Sequence, residues 1–174
     1  MELQILHMLQ ELHTDWLDSV MVLVSALGNG GLMWIALSIG LLIPKRTRYC
    51  GLTMIGAMTL SFLIGNLFLK NVIARPRPFM EDSSVILLVP KPGEYSFPSG
   101  HTLNGMTAAT VIFLYFKKAG IAALIMAGLI AFSRMYLFVH YPTDILGGII
   151  LGIIDAILAY KIAQMIIKKR EERL

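Results

Sequence analysis

The stretch ILGGIILGIIDAILAYKIAQMII, residues 145–167, decides the fold, because it is an almost unbroken apolar run with the length of a membrane-spanning helix. At a rise of about 1.5 Å per residue, such a helix crosses the roughly 30 Å hydrocarbon core of a bilayer. Four further apolar stretches precede it, at residues 19–43, 49–69, 102–116 and 119–139. The sequence therefore predicts an all-α fold, a polytopic membrane bundle of five spanning helices.

The composition supports a membrane location. Of the 174 residues, 56% are hydrophobic and 15% are charged, and the mean hydropathy is +0.71, far from the values of soluble domains. Cys50 is the single cysteine, which excludes an internal disulfide and a multi-cysteine metal site. The sequence shows no internal repeat and no long linker, so we expect one membrane-embedded domain over residues 1–174.

An amphipathic pattern marks the first residues. Residues 1–12 place leucine and methionine side chains at helical spacing, with glutamate and glutamine opposite them. Such a helix is typical of the membrane interface, although the pattern leaves open whether it lies on the membrane or spans it. With the five spans it brings the predicted number of helices to six.

Basic side chains cluster at alternate ends of the apolar stretches, and the formal net charge is +4. The clusters are Lys45, Arg46 and Arg48; Lys117 and Lys118; and Lys168, Lys169, Arg170 and Arg173. The positive-inside rule makes these clusters cytoplasmic, and with them the C-terminus. We therefore expect a multi-pass protein of the inner (plasma) membrane, with the polar segments at residues 70–101 and 133–144 on the external, periplasmic face.

Three short polar segments carry the residues fit for chemistry. They are KNVIARPRP at residues 70–78, PSGH at residues 98–101 and SRMYLFVHYPTD at residues 133–144. Prolines make residues 74–99 an external loop that could cap a site. Each segment alone is a weak signal, but on one face of a membrane protein the three together indicate a site for phosphate.

The residue types match the tasks of phosphoryl transfer, which are to neutralise oxygens, place a nucleophile and protonate the leaving oxygen. Lys70, Arg77 and Arg134 supply charge-assisted donors for phosphate oxygens. Ser99 and Gly100 come just before a predicted helix, whose free N–H groups favour an anion.

Two histidines and a carboxylate fit the chemical steps. Asp144 follows His140 by four residues, a spacing at which the carboxylate can orient one imidazole nitrogen and leave the other free to attack phosphorus. His101 is placed to act as general acid toward the leaving group. Arg75 lies beside the motif, and we include it only as an auxiliary contact.

In these segments the chain resembles the type 2 phosphatidic acid phosphatase superfamily, the membrane lipid phosphatases related to vanadium haloperoxidases and glucose-6-phosphatase. The matching positions are Lys70, Arg77, Pro78, Pro98, Ser99, Gly100, His101, Ser133, Arg134, His140 and Asp144. The resemblance implies a helical bundle, a phosphohistidine on His140, leaving-group protonation by His101 and hydrolysis with no metal ion or other cofactor. It also implies that Lys70, Arg77 and Arg134, with Ser99 and Gly100, bind the phosphate.

The resemblance indicates a substrate class rather than one lipid. Small bacterial members resemble phosphatidylglycerophosphate, undecaprenyl pyrophosphate and lipid A phosphatases, and phosphatidic acid is a further candidate. The expected partner is thus a lipid phosphate or pyrophosphate among membrane lipids, not a nucleic acid, and the oligomeric state stays open. Alternatives are a lipid phosphotransferase that uses the same site, a haloperoxidase that holds vanadate, and a non-catalytic anion transporter.

Three features lie outside the motif. The segment Gly28 to Gly31 interrupts the first apolar stretch, and we interpret it as a helix break or close packing rather than a phosphate loop. Gly148 and Gly152 have the GxxxG spacing of close helix packing. Asp155 is an intramembrane carboxylate, for which we favour a structural hydrogen bond to a neighbouring helix, with Asn66 as candidate partner, over a functional role.

Overall fold

The computed structural model of the protein describes residues 1–172, and Arg173 of the last basic cluster lies outside them. Across the described part the regular elements are helical, which confirms the all-α expectation. In chain order they are α1 (Glu2–Gln10), α2 (Asp15–Leu27), a 3₁₀-helix (Asn29–Gly31), α3 (Leu32–Leu42), α4 (Arg48–Ser61), a π-helix (Phe62–Leu69), α5 (Lys70–Ile73), α6 (Pro78–Glu81), α7 (Gly100–Tyr115), α8 (Lys117–Tyr136) and α9 (Pro142–Glu171).

The described residues contain three helical segments that are long and apolar enough to cross a bilayer. They are Arg48–Glu81, Lys117–Tyr136 and Pro142–Glu171. The pair Asp15–Leu27 and Asn29–Leu42 adds a fourth if it is one span bent by 41°. α7 occupies another of the expected stretches, but its 16 residues are fewer than the roughly 20 that a span needs. The chain is thus a multi-pass membrane protein, and the count of five spans is not confirmed.

α7 lies at the centre of the bundle, against α4, α8 and α9. The core around it includes Trp34, Cys50, Met54, Ala57, Ala108, Val111, Ala127 and Ile130. A Cβ atom on Gly152 would lie 2.9 Å from the carbonyl oxygen of Leu103, so α9 approaches α7 too closely for a larger residue. This contact confirms that the GxxxG spacing serves helix packing. A hydrogen bond of 3.1 Å from the Ser99 N–H to the carbonyl oxygen of Asp144 places the start of α7 beside the start of α9.

α1 is docked on the bundle. Its nine residues are too few to span a membrane. Leu6 is fully buried and packs in a cluster with Tyr136 and Phe138, at the connection between α8 and α9. The Gln10 side chain donates a hydrogen bond of 2.8 Å to the carbonyl oxygen of Tyr136. The amphipathic helix is therefore held against the connection that carries His140.

Two irregular segments position polar residues. Gly30 and Gly31 have φ values of 58° and 68°, a left-handed conformation that glycine adopts without strain, and they separate α2 from α3 as expected. The π-helix Phe62–Leu69 ends immediately before Lys70, and π-helical turns occur often at functional sites. Residues 74–99 form the expected loop apart from the short α6.

Asp155 has a different partner from the one that the sequence suggested. The Ser61 hydroxyl donates to Asp155 at 2.7 Å and lies 2.8 Å from the Thr107 hydroxyl. Asn66 was the wrong partner, because the π-helix carries it further along toward the polar end of the bundle. The buried contact joins α4, α7 and α9, which agrees with a structural role.

Candidate active site

Six of the residues expected to handle phosphate line one cavity of about 520 Å³. They are Lys70, Arg77, Gly100, His101, Arg134 and His140. The helix ends and connections that carry them are separated in the sequence, and they meet here because α8 and α9 both pack against α7. We call this space the site cavity.

Three of these side chains are buried cations. Lys70, Arg77 and Arg134 are 5%, 3% and 5% exposed. Arg77 Nε donates to the carbonyl oxygen of Glu94 at 2.6 Å, and its Nη1 donates to that of Val139 at 2.9 Å. These bonds fix the guanidinium group but do not neutralise it. Since buried charge without counter-charge is costly, the site cavity is suited to an anion.

Glu94 occupies part of the anion position. Its Oε2 lies 2.5 Å from Lys70 Nζ, and the hydrogen bond from this ammonium group holds the pKa of Glu94 below its usual value. Glu94 also lines the site cavity. A bound phosphate must therefore compete with this carboxylate for Lys70. Glu94 lies in the loop before the PSGH segment, where the motif gave no signal for it.

His140 is held in the tautomer that a nucleophile requires. Its Nε2 lies 3.2 Å from Arg77 Nη1, and because a guanidinium group can only donate, Nε2 accepts and the ring proton resides on Nδ1. Nδ1 faces Asp144 Oδ2 at 3.5 Å. Burial lowers the pKa of His140 to about 3, so the ring is neutral at pH 7 and has a lone pair on Nε2.

The Asp144 carboxylate is fixed by donors on both oxygens. Oδ2 accepts from the Ser96 hydroxyl and, at 2.9 Å, from the Tyr141 backbone N–H. The Ser96 hydroxyl oxygen also lies 3.4 Å from His140 Nδ1, and Ser96 is fully buried. Sequence reasoning missed Ser96, since a serine in a loop carries no mark of its partner.

Arg75 lies behind Asp144 rather than at the site cavity. Its Nη1 donates to Asp144 Oδ1 at 2.8 Å, and its Nη2 donates to Glu2 Oε2 at 2.6 Å. The structure does not bring Arg75 to the phosphate position, where the sequence suggested an auxiliary contact.

His101 meets the glycine cluster of the α2–α3 break. Its Nε2 lies 3.0 Å from Asn29 Oδ1. A Cβ atom on Gly28 would lie 2.7 Å from His101 Cδ2, so the absence of a side chain at Gly28 lets the break approach the ring. Gly28 and Asn29 both line the site cavity. The break thus also supplies a contact to His101, which the sequence did not predict.

Gly100 and Ser99 mark the start of α7. Gly100 lines the site cavity, where the first N–H groups of the helix are available to an anion. Ser99 is fully buried behind it. Its backbone N–H donates to the carbonyl oxygen of Asp144 at 3.1 Å, and its hydroxyl oxygen accepts from Thr102 at 3.1 Å. Ser99 therefore ties α7 to α9 close to the cavity.

Comparison with known proteins gives relatives over most of the chain. An undecaprenyl-diphosphatase of Sulfolobus acidocaldarius is 38% identical over 160 residues, which are 91% of this chain and 77% of the relative. The crystal structure of Aquifex aeolicus LpxE superposes with a TM-score of 0.81 at 30% identity, covering 92% of this chain and 94% of the other. That of the PAP2 type phosphatidylglycerolphosphate phosphatase from Bacillus subtilis gives 0.78 at 27% identity, covering 95% and 85%.

The family assignment follows from the sequence match and the geometry together. The profile described as the PAP2 superfamily matches residues 50–168, a range that contains the three polar segments. The structure gathers the cationic and imidazole side chains of these segments, except Arg75, around one cavity. The chain therefore belongs to the PAP2 superfamily.

Proposed function

We propose that this protein is an integral membrane lipid phosphatase, a hydrolase that cleaves a phosphate monoester or diphosphate of a lipid through a phosphohistidine on His140. The observation that carries the proposal is the lone pair of a neutral, buried His140 beside three buried cations in one cavity. Anion binding alone requires the cations, but not a histidine oriented by a carboxylate.

The first chemical step transfers the phosphoryl group to the protein. His140 Nε2 attacks phosphorus, and the bond from phosphorus to the leaving oxygen breaks. His101 gives that oxygen a proton, while Asp144 stabilises the positive charge that develops on the His140 ring. Arg77 is already within 3.2 Å of Nε2, so its guanidinium group is close to the oxygens of the phosphoryl group.

The second step returns the protein to its starting state. Water attacks phosphorus, the bond from phosphorus to His140 Nε2 breaks, and His101 takes the proton from the water. Inorganic phosphate leaves. Lys70, Arg77 and Arg134 bind its oxygens in both steps, together with the start of α7 at Gly100, while Ser99, buried behind Gly100, holds α7 against α9. No residue of this scheme calls for a metal ion, so we expect metal-independent turnover.

The similarity to the undecaprenyl-diphosphatase of Sulfolobus acidocaldarius favours a polyprenyl diphosphate such as undecaprenyl diphosphate as substrate. Phosphatidylglycerophosphate and phosphatidic acid are the next candidates, followed by a lipid A phosphate. A phosphotransferase would share the first step and differ only in the acceptor that replaces water. An anion transporter would use the cations without the histidines.

The orientation that we propose places the site cavity on the external, periplasmic side of the cell membrane and the C-terminus in the cytoplasm. The placement of the basic clusters supports it, because they lie at the ends of helices away from the cavity. We further propose that α7 acts as a fifth, short span within one domain over residues 1–174.

The test is phosphate release by purified protein in detergent, with EDTA present. The substrates are undecaprenyl diphosphate, phosphatidylglycerophosphate, phosphatidic acid and a lipid A phosphate. We expect release from at least one lipid, its loss in His140→Ala, and retention in His7→Ala, a matched histidine change on α1. No release from any lipid, equal turnover by His140→Ala, or activity restored only by Mg²⁺ would each contradict a part of the proposal.

A further inference from the structure

Arg75 connects the catalytic carboxylate to the N-terminal helix. Its Nη1 lies 2.8 Å from Asp144 Oδ1 and 2.6 Å from the Thr143 hydroxyl. Its Nη2 lies 2.6 Å from Glu2 Oε2, and its guanidinium carbon lies 3.9 Å from the centre of the Tyr141 ring. The planar group is therefore held on an aromatic face, with its two ends directed at two carboxylates.

Both carboxylate oxygens of Glu2 accept hydrogen bonds, from Thr143 and Arg75. Its Oε1 accepts from the Thr143 backbone N–H at 3.0 Å and from the Thr143 hydroxyl at 2.7 Å, while Oε2 accepts from Arg75. Thr143 lies in the first turn of α9, whose backbone N–H groups have no partner within the helix. Glu2 thus caps α9 one residue before Asp144.

Asp144 depends on Arg75 for one of its two oxygens. Within residues 1–172, Arg75 is the one hydrogen-bond donor to Oδ1, whereas Ser96 and the Tyr141 N–H serve Oδ2. Asp144 is fully buried, so an oxygen that loses its donor has no access to water. Rotation of the carboxylate would then alter its contact with His140 Nδ1.

We propose that Glu2 and Arg75 form an outer bridge that positions Asp144, and through it His140, for attack on phosphorus. The inference rests on the proposed function of His140 as nucleophile. Neither Glu2 nor Arg75 lines the site cavity, so they are positioning residues that do not bind the phosphate. Under this proposal α1 helps to position the active site, because it carries Glu2.

Four variants of the full chain, tagged at the C-terminus so that residue 2 stays free, test the bridge. They are Glu2→Gln, Arg75→Gln, the double variant, and Glu11→Gln as a control that makes the same charge change at the exposed residue that follows α1. We expect kcat to fall about tenfold for Glu2→Gln and about a hundredfold for Arg75→Gln, the scale of losses at supporting residues of active sites. KM should stay within about twofold of its original value.

The double variant shows whether Glu2 and Arg75 act together or independently, because the kcat losses of residues that act together do not multiply. If Glu2 acts through Arg75, the double variant has the kcat of Arg75→Gln alone. Glu11→Gln should match the unmodified protein. A kcat unchanged in Glu2→Gln, a product of two independent losses in the double variant, or a loss confined to KM would overturn the proposal.

A readout without turnover keeps the bridge distinct from the proposed function. The ¹H resonance of the His140 Nδ1–H reports the contact of this group with Asp144, and it is assigned by comparison with His140→Ala. Because Arg77 still faces Nε2 in every variant, the ring proton stays on Nδ1 and its chemical shift can be compared between them. We expect the same shift in the unmodified protein and in Glu11→Gln, and a different shift in Arg75→Gln and Glu2→Gln, where the Asp144 carboxylate has turned. An unaltered Nδ1–H shift in both bridge variants would refute the bridge even if no lipid were cleaved, and altered shifts would support it.

Discussion

The tautomer of His140 is set by two neighbours of opposite charge, Arg77 and Asp144. Arg77 can only donate, and so it keeps the proton off Nε2, while the Asp144 carboxylate faces the Nδ1–H. Burial removes the water that would stabilise the imidazolium form. This state fits the nucleophilic role that we propose for His140, because a neutral ring does not first have to lose a proton.

The buried state of His140 predicts its titration. Burial lowers the pKa of His140 to about 3, so the folded chain should keep this ring neutral as the pH falls from 6.5, where an exposed histidine takes up its proton. Because the unfolded chain binds that proton first, the stability of the fold should fall with pH below about 6.5. Histidine NMR from pH 8 to pH 4, assigned with His140→Ala, measures the titration. A midpoint near 6.5 for His140 would contradict it.

The contact between Asn29 and His101 predicts a change that depends on the leaving group. One lost hydrogen bond is worth about 1 kcal/mol, so we expect Asn29→Ala to slow cleavage of an alkyl phosphate lipid about fivefold. p-Nitrophenyl phosphate, whose leaving group needs little protonation, should be slowed less than twofold.

Paired kcat measurements on the two substrates test the role of Asn29. Asn71→Ala serves as control, because the Asn71 side chain donates to the carbonyl oxygen of Leu67 on the exposed side of its helix. Equal losses on both substrates would show that Asn29 does not act through His101.

Among the elements, α7 and α9 set the distance between His101 and His140, the two histidines of the proposed mechanism. α7 begins at Gly100 and His101, and α9 begins two residues after His140. Their close approach at Gly148 and Gly152 is therefore a condition for one cavity, since bulkier residues would push the starts of the helices apart.

A substitution at this helix contact should destabilise the fold. The Cβ atom of Gly152→Ala would lie 2.9 Å from a backbone oxygen and 3.0 Å from Met106 Cβ, and such overpacking costs about 1–3 kcal/mol. We expect a lower thermal midpoint in detergent than that of Gly56→Ala, where nothing lies within 4 Å of the added atom. Midpoints that are equal for the two variants would show that the contact relaxes without cost.

At the scale of the whole molecule, the site cavity lies at one end of the bundle and the basic clusters lie at the other. This asymmetry underlies the orientation that we propose. Under the proposed function, the lipid substrate would place its phosphate in the site cavity and its chain along the apolar helices.

Labelling with a membrane-impermeant maleimide tests the orientation. In a Cys50→Ser background, which removes the single native thiol, we expect Ser83→Cys in the loop after α6 to react in intact cells. Lys45→Cys, between α3 and α4, should react only after the membrane is permeabilised. The reverse pattern would place the site cavity in the cytoplasm.

The sequence alone reached the all-helical class and the residues around the site cavity, because apolar runs and motif spacing are properties of neighbouring positions. It was less successful with the spans. It predicted 102–116 as a span, but the 16 residues of α7 are few for one, and the count of five is not confirmed. The break predicted at Gly28 to Gly31 does divide the stretch 19–43 into two helices. Hydropathy detects apolar runs but not their bends or exact ends.

What the sequence by itself determined about this protein is therefore its helical membrane class and most of the polar residues that line the site cavity. Only the tertiary structure decided that Ser61 pairs with Asp155, that Asn29 meets His101, and that Arg75 supports Asp144 with Glu2 behind it. The physical reason is the sequence separation of the residues in contact. Hydropathy and motif spacing are written in consecutive residues, whereas these partners come from separate helices and loops and meet only when the bundle packs.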